Sequence, residues 1–241
     1  MRIDGPTSLE RQASFAASTP VVTRVEPVRP AQHGDLEGQV VSRLHFRFRA
    51  PSDEIRIELT RKALHLLILF CVPLLDISMW LPVAGLLLGM GIYTVSELLR
   101  HRGVIVPVIA PITAAAARQR DGDRFVWGPI TLAIGALIAV LIFDPLQAKI
   151  AIFALGIGDS FSSLIGKAFG RLPMPFSGGK SVEGSMCCFA SVLLSVFMLT
   201  GKFIPSCIVA FVTTVTEFWP TKDWDNILIP IVAGIVASIV L

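Results

Sequence analysis

Four short stretches of this chain carry side chains that could do chemistry, and each lies beside a run of hydrocarbon. In GIGDSFSSLIGKAFGR, residues 156–171, Asp159, Ser160, Ser162, Ser163 and Lys167 interrupt an otherwise lipid-soluble helix. An intramembrane carboxylate costs at least about 2.5–3.5 kcal/mol on insertion scales, so Asp159 calls for a partner or a watery cavity. Close helix packing through small residues accounts for Gly156, Gly158, Ser162, Ser163 and Gly166, but not for Asp159. In PFSGGKSVEGS, residues 175–185, Gly178 and Gly179 let backbone N–H groups approach an anion, and Lys180 brings a charge suited to phosphate. It is not a Walker loop: GxxxxGK(S/T) needs a glycine where Met174 stands, and no strand precedes it. Glu183 could pair with Lys180 across one helical turn or hold a divalent metal beside phosphates.

The third stretch, TEFWPTKDWDNILIP, residues 216–230, offers Glu217, Asp223, Asp225 and Asn226, hard oxygen ligands suited to magnesium or, equally, a solvated acidic loop. The fourth, ELTRKALH, residues 58–65, repeats Glu58, Arg61, Lys62 and His65 at helical spacing, so they share a face. His65 by itself reads more readily as an interfacial histidine than as a catalyst.

The elements that must position these groups are membrane helices. Of 241 residues, 53% are hydrophobic and 16% charged, more apolar surface than a soluble core of this size can hide. The net charge of +3 comes from basic residues scattered between apolar segments rather than gathered in a run, which argues for topology signals and against nucleic acid. Cys71, Cys187, Cys188 and Cys207 all fall in apolar segments without metal-site spacing and read as buried, inert thiols. Residues 1–54 form a polar tail, expected to be disordered and cytoplasmic and without a signal peptide's apolar core.

Beyond it, seven spans are expected at about 63–79, 80–99, 126–143, 147–166, 184–201, 203–219 and 226–241, giving an all-α polytopic membrane domain over residues 55–241. Val104–Ala117, broken by Pro107 and Pro111, reads as a re-entrant or interfacial segment. Lys and Arg concentrate before the first span and in alternate loops (Arg100, Arg102, Arg118, Arg120, Arg124; Lys167, Arg171, Lys180; Lys222), so the N-terminus and all four polar stretches are expected on the cytoplasmic side.

The ordered series ELTRKALH, GIGDSFSSLIGKAFGR, GGKSVEGS and Glu217 through DWDNILIP resembles the polyprenol kinase family, membrane enzymes that include dolichol kinase, phytol kinase and CTP-dependent diacylglycerol kinase. The resemblance covers roughly residues 55–241. One departure is visible, because family members often carry adjacent acids before the asparagine whereas Trp224 here separates Asp223 from Asp225, which keeps Asp225–Asn226 but leaves Asp223 without an assigned role.

The resemblance implies phosphoryl transfer from CTP to the hydroxyl of a membrane lipid alcohol: a polyprenol, a phytol-like isoprenoid or diacylglycerol. It implies that Lys180 and Arg171 hold the nucleotide phosphates, with Gly178, Gly179 and Ser181 closing on them and Arg61 and Lys62 completing the positive pocket. Asp159, Lys180 and Glu183 are then the catalytic candidates. Asp159, Glu183, Glu217, Asp225 and Asn226 are the candidate magnesium ligands, and which carboxylate is base and which is ligand stays open. Phosphoryl transfer asks mainly for positioning, charge neutralisation and a metal, which these residue types can supply. Two other readings share some features: a cytidylyltransferase that makes a CDP-lipid from CTP and phosphatidate, and an ion-coupled transporter built around an intramembrane acid.

Overall fold

The structure, a computed structural model, describes residues 53–102, 125–175, 177–219 and 224–241. The expected tail over residues 1–54, almost all of it, the segment Val104–Ala117 and Asp223 lie outside the described residues. Those described are helical, apart from short turns and one isolated antiparallel bridge between Pro173 and Ser181.

The first rod is α1 (Asp53–Leu66), a 3-10 turn (Leu67–Phe70) and α2 (Cys71–Ile77). Pro73 explains the tightened turn: its ring crowds the carbonyl four residues earlier, at Leu69, and it has no N–H to donate. Ser78 turns extended and its hydroxyl accepts from Trp80 N–H (3.3 Å), starting α3 (Trp80–His101). Helix α4 (Gly128–Ile142) begins with Pro129 in its first turn, where a missing N–H costs nothing. It stops at Phe143, and Asp144 is held extended by the proline that comes after it and opens the next helix.

That next rod is continuous from Pro145 to Phe169. Helix α5 (Pro145–Phe153) widens into a π-helical turn at Ala154–Gly158 and resumes as α6 (Asp159–Phe169). A loop leads to α7 (Val182–Thr200), which ends on Gly201 in the left-handed region (φ +67°). Helices α8 (Phe203–Phe218) and α9 (Asp225–Val240) complete the chain, with Pro230 inside α9.

The α5–α6 rod is the centre of the body. In its most apolar window 61% of the residues are buried, against 22% in α3 and in α7. One side packs into Ile68, Leu75, Val83, Leu132, Ala136 and Val140 of α2, α3, α4 and the 3-10 turn. The other packs, through Ile150, against Cys188, Val192 and Val196 of α7, Val209 and Ala210 of α8, and Ala237 of α9. The outer faces remain apolar: Phe70, Ile77, Leu88, Met198, Ile204, Phe211 and Ile239 are exposed, as expected of side chains solvated by lipid.

Long-range pairs define two ends. At one, Lys149 pairs with Asp76, and Lys202 donates to the Leu241 carbonyl (3.2 Å). At the other, Glu58 meets Lys167, Lys180 meets Glu217, and Asn226 reaches Thr131. Helices Trp80–Arg100, Pro145–Phe169 and Val182–Thr200 are long and apolar enough to cross a membrane, while α4, α8 and α9 are shorter apolar helices. Each of the seven expected spans overlaps a helical rod. Cys71 and Cys188 are buried, Cys187 and Cys207 half-buried, and none forms a disulfide.

Candidate active site

Asp159 opens α6 directly after the π-helical turn. Such turns loosen the i to i−4 ladder and re-aim the residues just beyond them, and the sequence ALGIG supplies the small residues that allow it. Gly158 also lets the rod close on α7, since a Cβ there would stand 2.7 Å from Val192 Cγ2. The carboxylate is 3% exposed and forms an ion pair with Lys62, itself 1% exposed; His65 Nδ1 lies 3.3 Å from the same Oδ2. The partners that a buried carboxylate requires thus come from α1, with Lys62 97 residues away in the chain.

One turn toward the N-terminus, Glu58 binds a second set of cations. Its carboxylate accepts from Arg61 Nη2 (2.6 Å) and Lys167 Nζ (2.6 Å), tying α1 to the last turn of α6. Burial pushes the Glu58 carboxyl up, but Arg61, Lys62 and Lys167 outweigh it and hold the group below its ordinary value.

The loop between α6 and α7 folds back on itself. Met174 N–H donates to Lys180 O (2.9 Å) and Val182 N–H to Leu172 O (3.0 Å), while buried Ser177 accepts from Lys180 N–H (3.1 Å) and donates to Met174 O (2.7 Å). Gly178 (φ +69°) and Gly179 (φ +101°) occupy conformations that side chains rarely adopt, so the tip of the loop requires both. Ser181 caps α7 by accepting from Gly184 N–H (3.2 Å). Gly166 and Gly184 let α6 and α7 touch, since a Cβ at Gly184 would stand 2.8 Å from Ser162 O. Lys180 reaches across to α8, where Nζ lies 2.7 Å from Glu217 Oε1 and also donates to the Glu217 carbonyl.

These parts enclose a cavity of about 180 Å³. Glu58, Arg61 and Lys167 line one wall, Asp159, Ser162 and Ser163 another, and the loop from Gly178 to Ser181 a third. Glu217 and Asp225 close it from α8 and α9. The cations and accessible backbone suit a polyanion such as a phosphate chain, whereas the carboxylates suit one only with a divalent cation between them.

Of the residues expected from sequence, Asp159, Lys180, Gly178, Gly179, Ser181, Arg61, Glu217 and Asp225 therefore meet at one cavity, and Lys62 stands behind it on Asp159. Glu183, Arg171 and Asn226 lie off the lining. Glu183 accepts from the backbone N–H groups of Arg171 (3.0 Å) and Leu172 (3.3 Å), bracing the start of the loop. Lys180 accordingly pairs with Glu217 instead of with Glu183. Arg171 is exposed at the loop's outer edge, and Asn226 donates to Thr131 Oγ1 (2.9 Å), joining α9 to α4.

Sequence reasoning passed over Glu58, Lys167 and His65 as site residues. The helical spacing of ELTRKALH was the signal for Glu58 and His65; the partners that give it meaning lie on α6. Among the described residues no group of three or more His, Cys, Asp or Glu side chains gathers closely enough to cage a metal ion. Glu217 is different from a saturated ligand, however: its Oε2 is buried and has no hydrogen-bond partner among the described residues. Glu217 and Asp225 on one cavity fit a magnesium ion carried largely by phosphate oxygens rather than by an all-protein cage.

Curated proteins similar to this chain share one description. It is 31% identical over 147 residues to a probable phytol kinase, chloroplastic, of Triticum aestivum, covering 52% of this chain and 48% of that protein. It is 30% identical over 148 residues to probable phytol kinase 1, chloroplastic, of Oryza sativa subsp. japonica, covering 52% and 46%. With probable phytol kinase 3, chloroplastic, of Glycine max, identity is 25% over 221 residues, covering 81% and 67%. The chain spans about half the length of the first two relatives. No family profile and no solved structure matches it. The resemblance to the polyprenol kinase family that the motifs carry is borne out by these relatives.

Proposed function

We propose that this chain is a membrane-embedded kinase that transfers the terminal phosphoryl group of a nucleotide, CTP, to the hydroxyl of an isoprenoid alcohol such as phytol. The observation that carries the reading is the meeting of the Gly178–Lys180 loop with Asp159 in one polar cavity at the end of an apolar helical body. The names of the similar plant proteins support the isoprenoid acceptor.

In this proposal the loop backbone, Lys180, Arg61 and Lys167 bind and orient the phosphate chain. Asp159, fixed by Lys62 and His65, hydrogen-bonds the alcohol and receives its proton as the oxygen forms its bond to the terminal phosphorus. The bond from that phosphorus to the bridging oxygen breaks, and CDP leaves with the electron pair. Glu217 and Asp225 would hold Mg²⁺ beside the phosphates, where it neutralises charge on the transferring group. Lys62, with His65 close behind, keeps the Asp159 carboxylate from rotating away, so geometry rather than a strong base carries the step. The seven rods are read as seven spans with the N-terminus and the cavity on the cytoplasmic side, on the strength of the Lys and Arg distribution.

The test supplies γ-labelled CTP and Mg²⁺ to detergent-purified protein with phytol, dolichol and diacylglycerol in parallel. Label should enter one alcohol and be lost about 100-fold or more in Asp159→Asn and Lys180→Ala. A CDP-lipid formed from α-labelled CTP and phosphatidate, with no labelled alcohol, would replace this reading by a cytidylyltransferase.

A further inference from the structure

A second cavity, of about 290 Å³, lies on the outer surface of the body between the first rod, α3 and α4. Every residue lining it is of an apolar type, in contrast to the polar cavity beside Asp159. It begins at Leu64, next to His65, and runs past Ile68 to Leu74, a length of about 15 Å along the rod. Gly85 of α3 and Leu132 of α4 form its walls, and Phe70, 66% exposed, stands on its open side.

Its inner end adjoins the catalytic cluster. Ile68 packs on Gly156 so closely that a Cβ there would stand 3.1 Å from Ile68 Cγ2, and Gly156 precedes Asp159 by three residues. The same rod thus turns His65 toward Asp159 and, one turn deeper, Ile68 into the groove. The two cavities share no lining residue, and what joins them is this rod, with His65 at Asp159 and Leu64–Leu74 along the groove.

We propose that this groove is the subsite for the hydrocarbon chain of the acceptor alcohol, an isoprenoid chain entering sideways from the bilayer. The inference rests on the kinase reading and adds to it where the tail lies. A chain leaving lipid for the groove gains no hydrophobic free energy, because lipid is equally apolar. The groove therefore acts by close packing that aligns the hydroxyl, so blocking it lowers turnover of long alcohols without removing the chemistry.

Gly85 suits the test, since it lines the groove and a Cβ added there meets nothing within 4 Å, so Gly85→Phe starts its side chain in open space at the groove. Geraniol, farnesol and geranylgeraniol, which add one isoprene unit at each step, are offered to wild type and Gly85→Phe. The expected result is a fall of about tenfold in kcat/KM for geranylgeraniol and phytol with geraniol unchanged. An unaltered chain-length profile, or equal loss on all alcohols in a variant whose melting temperature matches wild type, overturns the assignment.

A phytol analogue carrying a diazirine on its tail gives an independent reading. Cross-linked peptides from Leu64–Leu74 or from α4 near Leu132 support the groove, and label confined to the outer face of α3 at Leu88 and Ile92 refutes it. Failure of wild type to phosphorylate any alcohol would refute the kinase reading, and the cross-link would still decide whether the groove binds the chain.

Discussion

Asp159 and Glu183 each lie in the first turn of a helix, yet they answer to different donors. Asp159 faces two side chains that carry or can carry positive charge and borders the cavity, whereas Glu183 is used by two backbone N–H groups of its own loop. The amide of Glu183→Gln keeps one oxygen for those N–H groups, so kcat should stay within about threefold of wild type. Glu183→Ala hands both N–H groups to water and should loosen the start of the loop, lowering the melting temperature slightly. The labelled-lipid assay and a thermal melt of both variants check this; a loss on Glu183→Gln as large as that on Asp159→Asn would return Glu183 to the catalytic set. ELTRKALH announced a shared charged face from spacing alone, but which of its members touches Asp159 depended on the azimuth at which α1 packs on α6.

At the scale of elements, α1 is fastened to α6 by the Glu58–Lys167 pair, which Arg61 of α1 supports, outside the apolar part of the rod. Because the folded protein holds Glu58 below its ordinary value of 4.5, this clamp contributes stability above that pH. The contribution is lost as the pH falls from 4.5 through the lower folded value. Thermal unfolding in detergent between pH 7 and pH 3 should therefore show wild type weakening at the acid end. Glu58→Gln should begin about 1–3 kcal/mol less stable at pH 7, with Arg61 and Lys167 partly rescued by solvent, and show a flatter acid limb. Equal acid limbs in the two proteins would mean that the clamp does not support the fold.

For the whole molecule, the pairs at the two ends of the body make a definite claim about sides. Leu172 lies in the loop at the cavity end and Lys202 at the opposite end, with α7 between them. In a variant lacking the four native cysteines, and with the orientation proposed above, Leu172→Cys should react with a membrane-impermeant maleimide only in vesicles that expose the cytoplasmic face. Lys202→Cys should react only in vesicles of the opposite orientation. Labelling of both from one side would show that α7 does not cross.

The apolar runs by themselves located the seven rods, most to within a few residues, because hydrocarbon length is a property of neighbouring residues; the polar first turns of α1, from Asp53, fell outside the expected span at 63–79. The oddity of a carboxylate at 159 was likewise legible without a fold, while the requirement for glycine at 178 and 179 shows only in their positive φ. The tertiary structure alone decided that Glu183 braces a loop, that Lys180 turns to Glu217, that Asn226 joins two helices, and that Glu58 and Lys167 belong to the cavity wall. A polar group's role depends on which donors stand within about 3 Å of it, and here those donors arrive from rods far apart in the chain. Spacing along one helix shows which face is polar; only the packing of the helices shows what that face meets.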